Sequence, residues 1–172
     1  MATFQHRLVG AIRLQPSVFE EVEHDTTATA QAAAVVAIAG ISSGVAFVWY
    51  GGFAGVVSSM VWTLVTWAML AGSLWVVGTK ILPGRRTEAD PGQLLRTTGF
   101  AAAPGLLSGI GVIPVIGWFI WIGVMVWVLA ATVVAVRQAL DYEDTLRAVL
   151  AVALAWVAVL LVTSAVVLAG AL

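Results

Sequence analysis

The residues best suited to chemistry lie close together in an acidic segment near the start of the sequence. Glu21 and His24 form an E-x-x-H pair, which places two possible metal ligands on one face of a helix. Di-metal carboxylate proteins use this motif twice and add two further carboxylates, whereas this sequence has it once, with His6 as the other histidine. Acidic residues that stabilise the first turn of a helix are the simpler interpretation, so we expect no metal and no cofactor.

The same segment is a candidate docking surface for a protein partner. Its acidic residues are Glu20, Glu21, Glu23 and Asp25. An alternative is that these carboxylates pair with cationic side chains at the same face of the membrane, of which the candidates are Arg85, Arg86 and Arg137. Both interpretations place the acidic residues at a water-facing end, since charged side chains are costly in the hydrocarbon region.

The other candidate functional positions lie at the edges and breaks of apolar stretches: Arg96, Pro104, Pro114 and Arg137. Arg96 either faces a polar cavity or extends its guanidinium to the lipid headgroups. No Asp, Glu, His or Lys falls inside the apolar stretches, which argues against a proton-coupled transporter. The serines lack a neighbouring base, and no glycine-rich loop has the spacing of a phosphate-binding motif. We therefore expect no catalytic residues and no enzyme.

Composition indicates that most of the chain faces lipid. Hydrophobic residues make up 61% and charged residues 10% of the 172 residues, and the mean hydropathy is +1.02. Soluble domains contain about 45–50% apolar and about 25% charged residues. The net charge of −1 provides no basic surface for nucleic acid, and the absence of cysteine excludes disulfides and thiolate sites.

Five apolar stretches are long enough to cross a bilayer, each near the roughly 20 residues that a helix needs. They cover residues 28–50, 57–77, 94–111, 115–136 and 148–172. The third contains Gly99, Pro104 and Gly109, so we expect it to be kinked. The predicted fold class is an all-α integral membrane protein, a five-transmembrane-helix bundle (residues 28–172) with an N-terminal amphipathic and acidic segment (residues 1–27) on the cytoplasmic side.

Within the N-terminal segment, the sequence predicts two short helices. Apolar residues alternate with Arg7 and Arg13 at a spacing that favours an amphipathic helix lying on the membrane surface, with its basic residues outward. Pro16 ends this helix, and Ser17 with Glu20 forms a capping box that starts the next one. We expect the second helix to continue into the first span.

The distribution of basic residues predicts how the bundle sits in the membrane. All eight Lys and Arg residues lie ahead of the first stretch or in two loops, at residues 80–96 and 137–147. The glycine-rich turns at residues 51–55 and 111–117 carry none. Under the positive-inside rule, the N-terminus is cytoplasmic and the C-terminus lies on the opposite side of the cell membrane. The residues expected to form an outer aromatic belt at the uncharged turns are Trp49, Tyr50, Trp118 and Trp121.

Two small-xxx-small motifs predict close contact between helices. One spans Gly40 and Gly44 in the first stretch, and the other spans Gly105 and Gly109 in the third. Small residues at this spacing lie on one face of a helix and let a neighbouring backbone approach. We expect both motifs to pack inside the bundle, and a homo-oligomer contact is the alternative.

Several short motifs occur in a fixed order along the chain. They are Arg13-Leu-Gln-Pro16-Ser-Val-Phe19-Glu-Glu, Leu82-Pro83, Leu94-Leu-Arg96-Thr-Thr-Gly99-Phe-Ala-Ala-Ala-Pro104, Pro114, Trp127 and Val136-Arg137-Gln138-Ala139-Leu140. In these motifs and in its five-span layout the chain resembles the Yip family, the Ypt- or Rab-interacting membrane proteins. The resemblance covers nearly the whole chain, whose length is similar to that of bacterial members.

The resemblance implies a non-enzymatic membrane protein with protein partners. Eukaryotic relatives act in vesicle traffic by binding prenylated Rab-type GTPases and partner Yip proteins. We therefore expect a scaffold or adaptor that recruits proteins, or organises the bilayer, through its cytoplasmic face. The alternative is a small permease, channel or lipid facilitator built around the broken third span, because transporters place their sites at such breaks.

Overall fold

Every regular element in the described part of the chain is a helix. The computed structural model describes residues 3–85, 87–113 and 115–170, so Arg86 and Pro114 lie outside the described residues. The α-helices are α1 (Phe4–Ile12), α2 (Pro16–His24), α3 (Ala28–Ala46), α4 (Val48–Val76), α5 (Pro91–Ala101), α6 (Ile116–Ala139) and α7 (Thr145–Gly170). A π-helix (Val77–Ile81) extends α4, and a 3₁₀ helix (Ala103–Val112) follows α5. The all-α prediction is confirmed for these residues.

Four helices are long and apolar enough to cross a membrane: Ala28–Ala46, Val48–Ile81, Ile116–Ala139 and Thr145–Ala169. They correspond to the first, second, fourth and fifth stretches predicted from the sequence. The third stretch is divided into α5 and the 3₁₀ helix, with Pro104 in the first turn after the break. Proline removes a backbone donor and clashes with the preceding turn, which explains the predicted kink.

The divided third segment runs alongside α3 in the same direction. Successive glycines of the segment contact successive small residues of α3: Gly99 with Ala32, Gly105 with Ala39, Gly109 with Ser42 and Gly111 with Ala46. A Cβ added at Gly99 would lie 2.6 Å from the Cβ of Ala32, so a larger residue there would force the two helices apart. The third segment therefore follows α3 along most of its length.

Ser42 of α3 supplies hydrogen bonds that the divided segment cannot make within itself. Its Oγ donates to the carbonyl oxygen of Leu106 at 2.7 Å and accepts from the backbone nitrogen of Gly109 at 2.9 Å. Irregular backbone at membrane depth is tolerated where protein groups satisfy its donors and acceptors. Ser42 thus stabilises the 3₁₀ helix as well as its contact with α3.

The opposite face of α3 packs closely against α4. A Cβ added at Gly40 would lie 2.8 Å from the Cα of Met60, and one added at Gly44 would lie 2.6 Å from the Cα of Val56. These distances leave no room for a side chain, which is the arrangement expected of a small-xxx-small face. Both predicted motifs therefore pack inside the bundle, one in the contact of α3 with α4 and the other in the contact of α3 with the third segment.

The predicted start and end of α2 are wrong. The helix begins at Pro16 and not through a capping box, since its N-cap is Gln15, which makes no side-chain hydrogen bond. Proline fits the first helical position, where a missing N–H costs nothing. The helix also ends at His24 and does not continue into the first span, because Asp25 adopts an extended conformation (φ −94°, ψ 97°).

The turn between the first two spans includes two of the glycines that were expected to form it. Gly40 of α3 lies against Met60 and Gly44 against Val56, so the two spans are antiparallel and the chain reverses near Gly51 and Gly52. Gly52, with φ +57°, lies inside α4 and marks a kink. Glycine accepts this backbone conformation at little cost because it lacks Cβ.

Two hydrophobic clusters hold the helices together. One joins α4, α5, α6 and α7, and its largest fully buried side chains include Leu74, Leu94 and Leu140. The other joins α1, α2, α3, α5 and α6, around Phe19 and Phe100. Helices α5 and α6 contribute to both clusters, so the N-terminal helices are integrated with the membrane helices and do not form an independent unit.

Candidate functional site

Charged residues gather at one end of the bundle, formed by the C-terminus of α2 and the loops at residues 82–90 and 140–144. We refer to this as the charged end. Arg7 reaches it from α1 and is 2% exposed. Its Nη2 lies 2.9 Å from Glu21 Oε1 and 2.6 Å from Asp25 Oδ2, and its Nη1 donates to Gln31 Oε1 at 3.2 Å. The prediction that Arg7 points outward is wrong, because α1 folds back on α2 and buries the guanidinium between two carboxylates.

Asp25 connects this ion-pair cluster to the start of α3. Its Oδ1 accepts hydrogen bonds from the backbone nitrogen and the hydroxyl of Thr27, at 3.0 and 2.6 Å. These bonds, together with the guanidinium of Arg7, lower the pKa of Asp25 to about 2. Arg7 is therefore a cationic partner of Glu21 and Asp25 that the sequence did not suggest, and of the loop arginines that it did suggest, Arg86 lies outside the described residues.

Arg96 joins α5 to the C-terminus of α2. Its side chain is buried, and its Nε donates to the carbonyl oxygens of Val22 at 3.1 Å and Glu23 at 3.2 Å. Its Nη2 also donates to the carbonyl of Glu23. The last carbonyls of a helix have no partner within the helix, and a basic side chain satisfies them well. Arg96 thus caps α2, a contact that neither of the two sequence-based interpretations anticipated.

Glu23 is the most deeply buried carboxyl group of the acidic segment. The residue is 7% exposed, and burial raises the pKa of its carboxyl to about 7. Asp141 and Glu20 add to this increase, while His24 and Arg96 oppose it. Glu23 therefore lies among charged groups from α2, α5 and the loop after α6.

The E-x-x-H residues are engaged in separate contacts. The Nδ1 of His24 lies 2.9 Å from the carbonyl oxygen of Glu20, four residues earlier, and Glu21 pairs with Arg7. Of the four acidic residues proposed for partner docking, Glu20 is exposed, whereas the other three are buried or engaged by Arg7. Within the described residues no group of three His, Cys, Asp or Glu could hold a metal ion.

The two loops of the charged end are tied together by hydrogen bonds. The hydroxyl of Tyr142 donates to the carbonyl of Leu82 at 2.7 Å, and the hydroxyl of Thr87 donates to the carbonyl of Leu140 at 2.7 Å. Arg147 donates to the carbonyl of Pro83 at 3.3 Å and lies over the Tyr142 ring. Sequence reasoning missed Thr87 and Tyr142, although each is a hydroxyl-bearing residue in a loop whose carbonyls need donors.

Arg137 and Pro104 have different surroundings. Arg137 is exposed at the end of α6 and donates to the carbonyls of Tyr142 and Glu143, both at 3.3 Å. Pro104 is buried against its neighbours within the bundle. The structure does not bring these two candidates together, and Pro114 lies outside the described residues.

The N-terminal helices do not rest on the ends of the membrane helices. The indole nitrogen of Trp127 donates to the carbonyl of Ile12 at 2.9 Å. The ring of Phe4 lies 6.4 Å from the ring of Phe100. Since Trp127 is near the middle of α6 and Phe100 near the end of α5, α1 packs against the sides of these helices. The position of α1 on the membrane surface stays a prediction.

Aromatic residues gather at the opposite end of the bundle, which we call the aromatic end. Trp118 and Trp121 stack with ring centroids 5.4 Å apart, and Phe47 meets Trp121 edge-on at 6.0 Å. The indole nitrogen of Trp49 donates to the carbonyl of Val112 at 3.3 Å. These residues line a cavity of about 480 Å³ that contains no charged side chain. The four aromatic residues predicted to share a belt therefore do lie at one end.

Four apolar helices able to cross a bilayer, with charged loops at one end and aromatic residues at the other, define a multi-pass membrane protein. The family model described as the Yip1 domain matches residues 12–166. The chain therefore belongs to the Yip1-domain family, a family of non-enzymatic membrane proteins. Neither the curated proteins nor the solved structures provide a match for this chain.

Proposed function

We propose that the protein is a membrane scaffold of Yip type that binds a protein partner through the charged end. The observation that carries this proposal is the hydrogen-bonded connection between the loops at residues 82–90 and 140–144. Loops that are already held in place lose less conformational entropy when a partner binds. The charged end thus offers a preorganised polar surface outside the apolar region of the bundle.

Within this surface, we place the docking site around Glu20. Glu20 and Asp141 are exposed, and both lie within electrostatic range of Glu23. Glu21 and Asp25 lie behind this surface, where Arg7 pairs with both, and Glu23 is buried in the same segment. An acidic surface favours a partner with basic side chains, because complementary charge speeds association and excludes wrong partners.

Five crossings and a cytoplasmic charged end belong to the same proposal. The third segment runs parallel to α3, and α3 is itself long enough to cross a bilayer. Counting this segment as a span gives five crossings. The loops that carry the basic residues then face the cytoplasm, and the aromatic end faces the opposite side of the cell membrane.

Packing of the third segment supports a scaffold over a permease, channel or lipid facilitator. A transport path at the break would need space near Pro104, yet Pro104 is buried and Gly105 approaches Ala39 closely. Neither the aromatic-end cavity nor the groove beside α1 is lined by Pro104. A site of the kind that transporters build at broken helices is thus not supported at this position.

The test is crosslinking of the protein in its membrane, followed by capture in mild detergent and mass spectrometry. We compare the natural chain with a variant that carries Glu20→Arg and Asp141→Asn, since Asn tolerates the left-handed backbone of Asp141 (φ +50°). Glu88→Arg, which reverses an exposed charge in the other loop, is the matched control. Loss of a specific partner from the double variant alone supports the proposal, and identical partner sets in all three proteins contradict it.

A further inference from the structure

The level at which α1 lies can be measured along the two helices that it touches. Trp127, which bonds to Ile12, is 12 residues from the end of α6 at Ala139, a distance of about 18 Å. Phe100, which contacts Phe4, is nine residues from the start of α5, a distance of about 14 Å. The hydrocarbon core of a bilayer is about 30 Å thick. The C-terminal end of α1, at Ile12, therefore lies near the middle of that thickness, whereas Arg7 pairs with Asp25 at the charged end.

The outer side of α1 is polar at this level. A groove of about 370 Å³ runs along it, and its polar lining residues are Thr3, Gln5, His6, Arg13 and Gln15. All five are exposed. Within the described residues, the side chains of Gln5, His6, Arg13 and Gln15 make no hydrogen bond, and no carboxylate lines the groove.

The neighbouring surface of the bundle at the same level has the opposite character. On α6, the exposed side chains next to Trp127 are Met125 and Val126, which suit contact with lipid chains. An arginine in bare hydrocarbon is costly unless it reaches water, headgroups or a polar partner. The groove on α1 must therefore be filled by something polar, while the adjoining face of α6 remains in contact with hydrocarbon.

We propose that this groove binds the phosphate group of an anionic phospholipid. Its lining offers the guanidinium of Arg13 with amide and imidazole nitrogens, a set suited to phosphate oxygens. Through this contact a headgroup is drawn to about half the depth of the bilayer beside α1. A second copy of the chain fits less well, because a two-fold contact would set Arg13 against the same basic groove with no carboxylate to pair with it.

The first test measures which lipids remain bound. The full chain is purified from vesicles of equal parts phosphatidylglycerol and phosphatidylcholine, and the bound lipids are counted by native mass spectrometry. We expect enrichment of phosphatidylglycerol, with about a tenfold loss of affinity in Arg13→Gln. Arg137→Gln removes an exposed arginine at the charged end and is the control.

Inorganic phosphate separates the two sources of the same chemical group. If millimolar phosphate displaces phosphatidylglycerol from the natural chain, and if no phosphate binding to Arg13→Gln is measured above a buffer blank, the groove recognises phosphate itself. If phosphate has no effect while the lipid preference depends on Arg13, the groove recognises the phosphate as part of a lipid. Equal retention of both lipids by the natural chain and Arg13→Gln overturns the proposal.

The second test measures polarity at the groove without removing any of its polar groups. The sequence contains no cysteine, so Val9→Cys on α1 and Val126→Cys on α6 each provide a unique site for a nitroxide label. In phosphatidylglycerol vesicles we expect a water-soluble relaxation agent to reach the label at residue 9 and not the one at residue 126. Equal protection of both labels from that agent, or spin–spin broadening that shows a second copy at residue 9, contradicts the proposal.

Discussion

The charged end and the aromatic end of this bundle are held together in different ways. At the charged end, side chains from distant parts of the sequence hydrogen-bond to backbone carbonyls: Arg96 to Glu23, Thr87 to Leu140 and Tyr142 to Leu82. At the aromatic end, rings stack around an open cavity, and Trp49 and Tyr50 are 76% and 91% exposed. The two ends therefore differ in kind: hydrogen bonds join the loops of the charged end, whereas exposed rings surround a cavity at the aromatic end.

The contrast between the two ends also bears on how much polar contacts and buried apolar area each contribute to the packing of the helices. Burial of apolar side chains supplies the driving force between membrane helices only in part, because lipid tails are equally apolar. Polar contacts can therefore determine which helices meet at the charged end. We expect substitutions there to change stability more than comparable substitutions at the aromatic end.

The largest effect is expected from Arg96→Leu. This substitution leaves the last carbonyls of α2 without a partner inside the protein, and a hydrogen bond from a charged donor is worth about 1.5–3 kcal/mol. We predict a loss of about 2–3 kcal/mol in the free energy of unfolding, measured by denaturant titration in detergent. Arg85→Leu removes the same charge from an exposed position and should leave stability within about 0.5 kcal/mol of the natural chain.

Ser42→Ala tests the contact between α3 and the third segment, which lies between the two ends. The variant leaves the Leu106 carbonyl and the Gly109 nitrogen without their partner, and an unsatisfied buried group costs about 1–3 kcal/mol. We predict a loss of about 1–2 kcal/mol in the same titration. Ser58→Ala, at an exposed position, is the control, and equal losses in both variants would remove the proposed role of Ser42.

A matched pair of tryptophans compares the two ends directly. The indole nitrogen of Trp75 donates to the carbonyl of Ala89 at the charged end, and that of Trp49 donates to the carbonyl of Val112 at the aromatic end. Replacing each with Phe removes one hydrogen bond and keeps an aromatic ring. We predict a loss of about 1 kcal/mol for Trp75→Phe and less than about 0.5 kcal/mol for Trp49→Phe. A larger loss for Trp49→Phe than for Trp75→Phe would contradict the expectation that hydrogen bonds matter more to stability at the charged end.

Glu23 gives the charged end a pH dependence. Its pKa is about 7 in the folded protein, against about 4.3 in an unfolded chain, so the folded state binds more protons between these values. Stability should therefore fall as pH rises from about 4.5 to about 7. The raised pKa of His24 acts in the same direction, whereas Asp25, with a pKa of about 2, contributes stability that is lost only below about pH 4.

The corresponding prediction concerns the difference in unfolding temperature between pH 5 and pH 8. Glu23→Gln removes the titrating carboxyl and should shrink this difference by raising the unfolding temperature at pH 8. His24→Gln, which alters an exposed neighbour, should retain most of the difference. A Glu23→Gln protein with the same pH profile as the natural chain would show that Glu23 does not titrate in this range.

The sequence predicted the membrane helices well because their signals are local. Length, hydropathy and the positions of proline and glycine located four membrane-crossing helices and the kink in the third segment. The aromatic residues at uncharged turns were likewise placed correctly at one end. Each of these predictions depends on residues that are close together in the chain.

The contacts of the charged end could not be predicted in the same way, since they join residues far apart in sequence. Arg7 was expected to face outward because an amphipathic pattern shows which residues share a face, but not what will cover that face. Similarly, nothing near Arg96 indicates that it caps a helix more than 70 residues earlier, as its bond to Glu23 requires. The hydrogen bond between Trp127 and Ile12 also joins residues that are distant in sequence, and no local pattern indicates it.

Hydrogen–deuterium exchange of the full chain in detergent tests the central claim most directly. We predict slow exchange of the loop amides that donate hydrogen bonds, which include those of Gly84, Leu140 and Tyr142, because these bonds must break before exchange and the cross-loop bonds hold the loops in place. We predict faster exchange for residues 47–52 at the aromatic end. Loops at the charged end that exchange as fast as residues 47–52, or faster, would contradict the claim that this surface is preorganised.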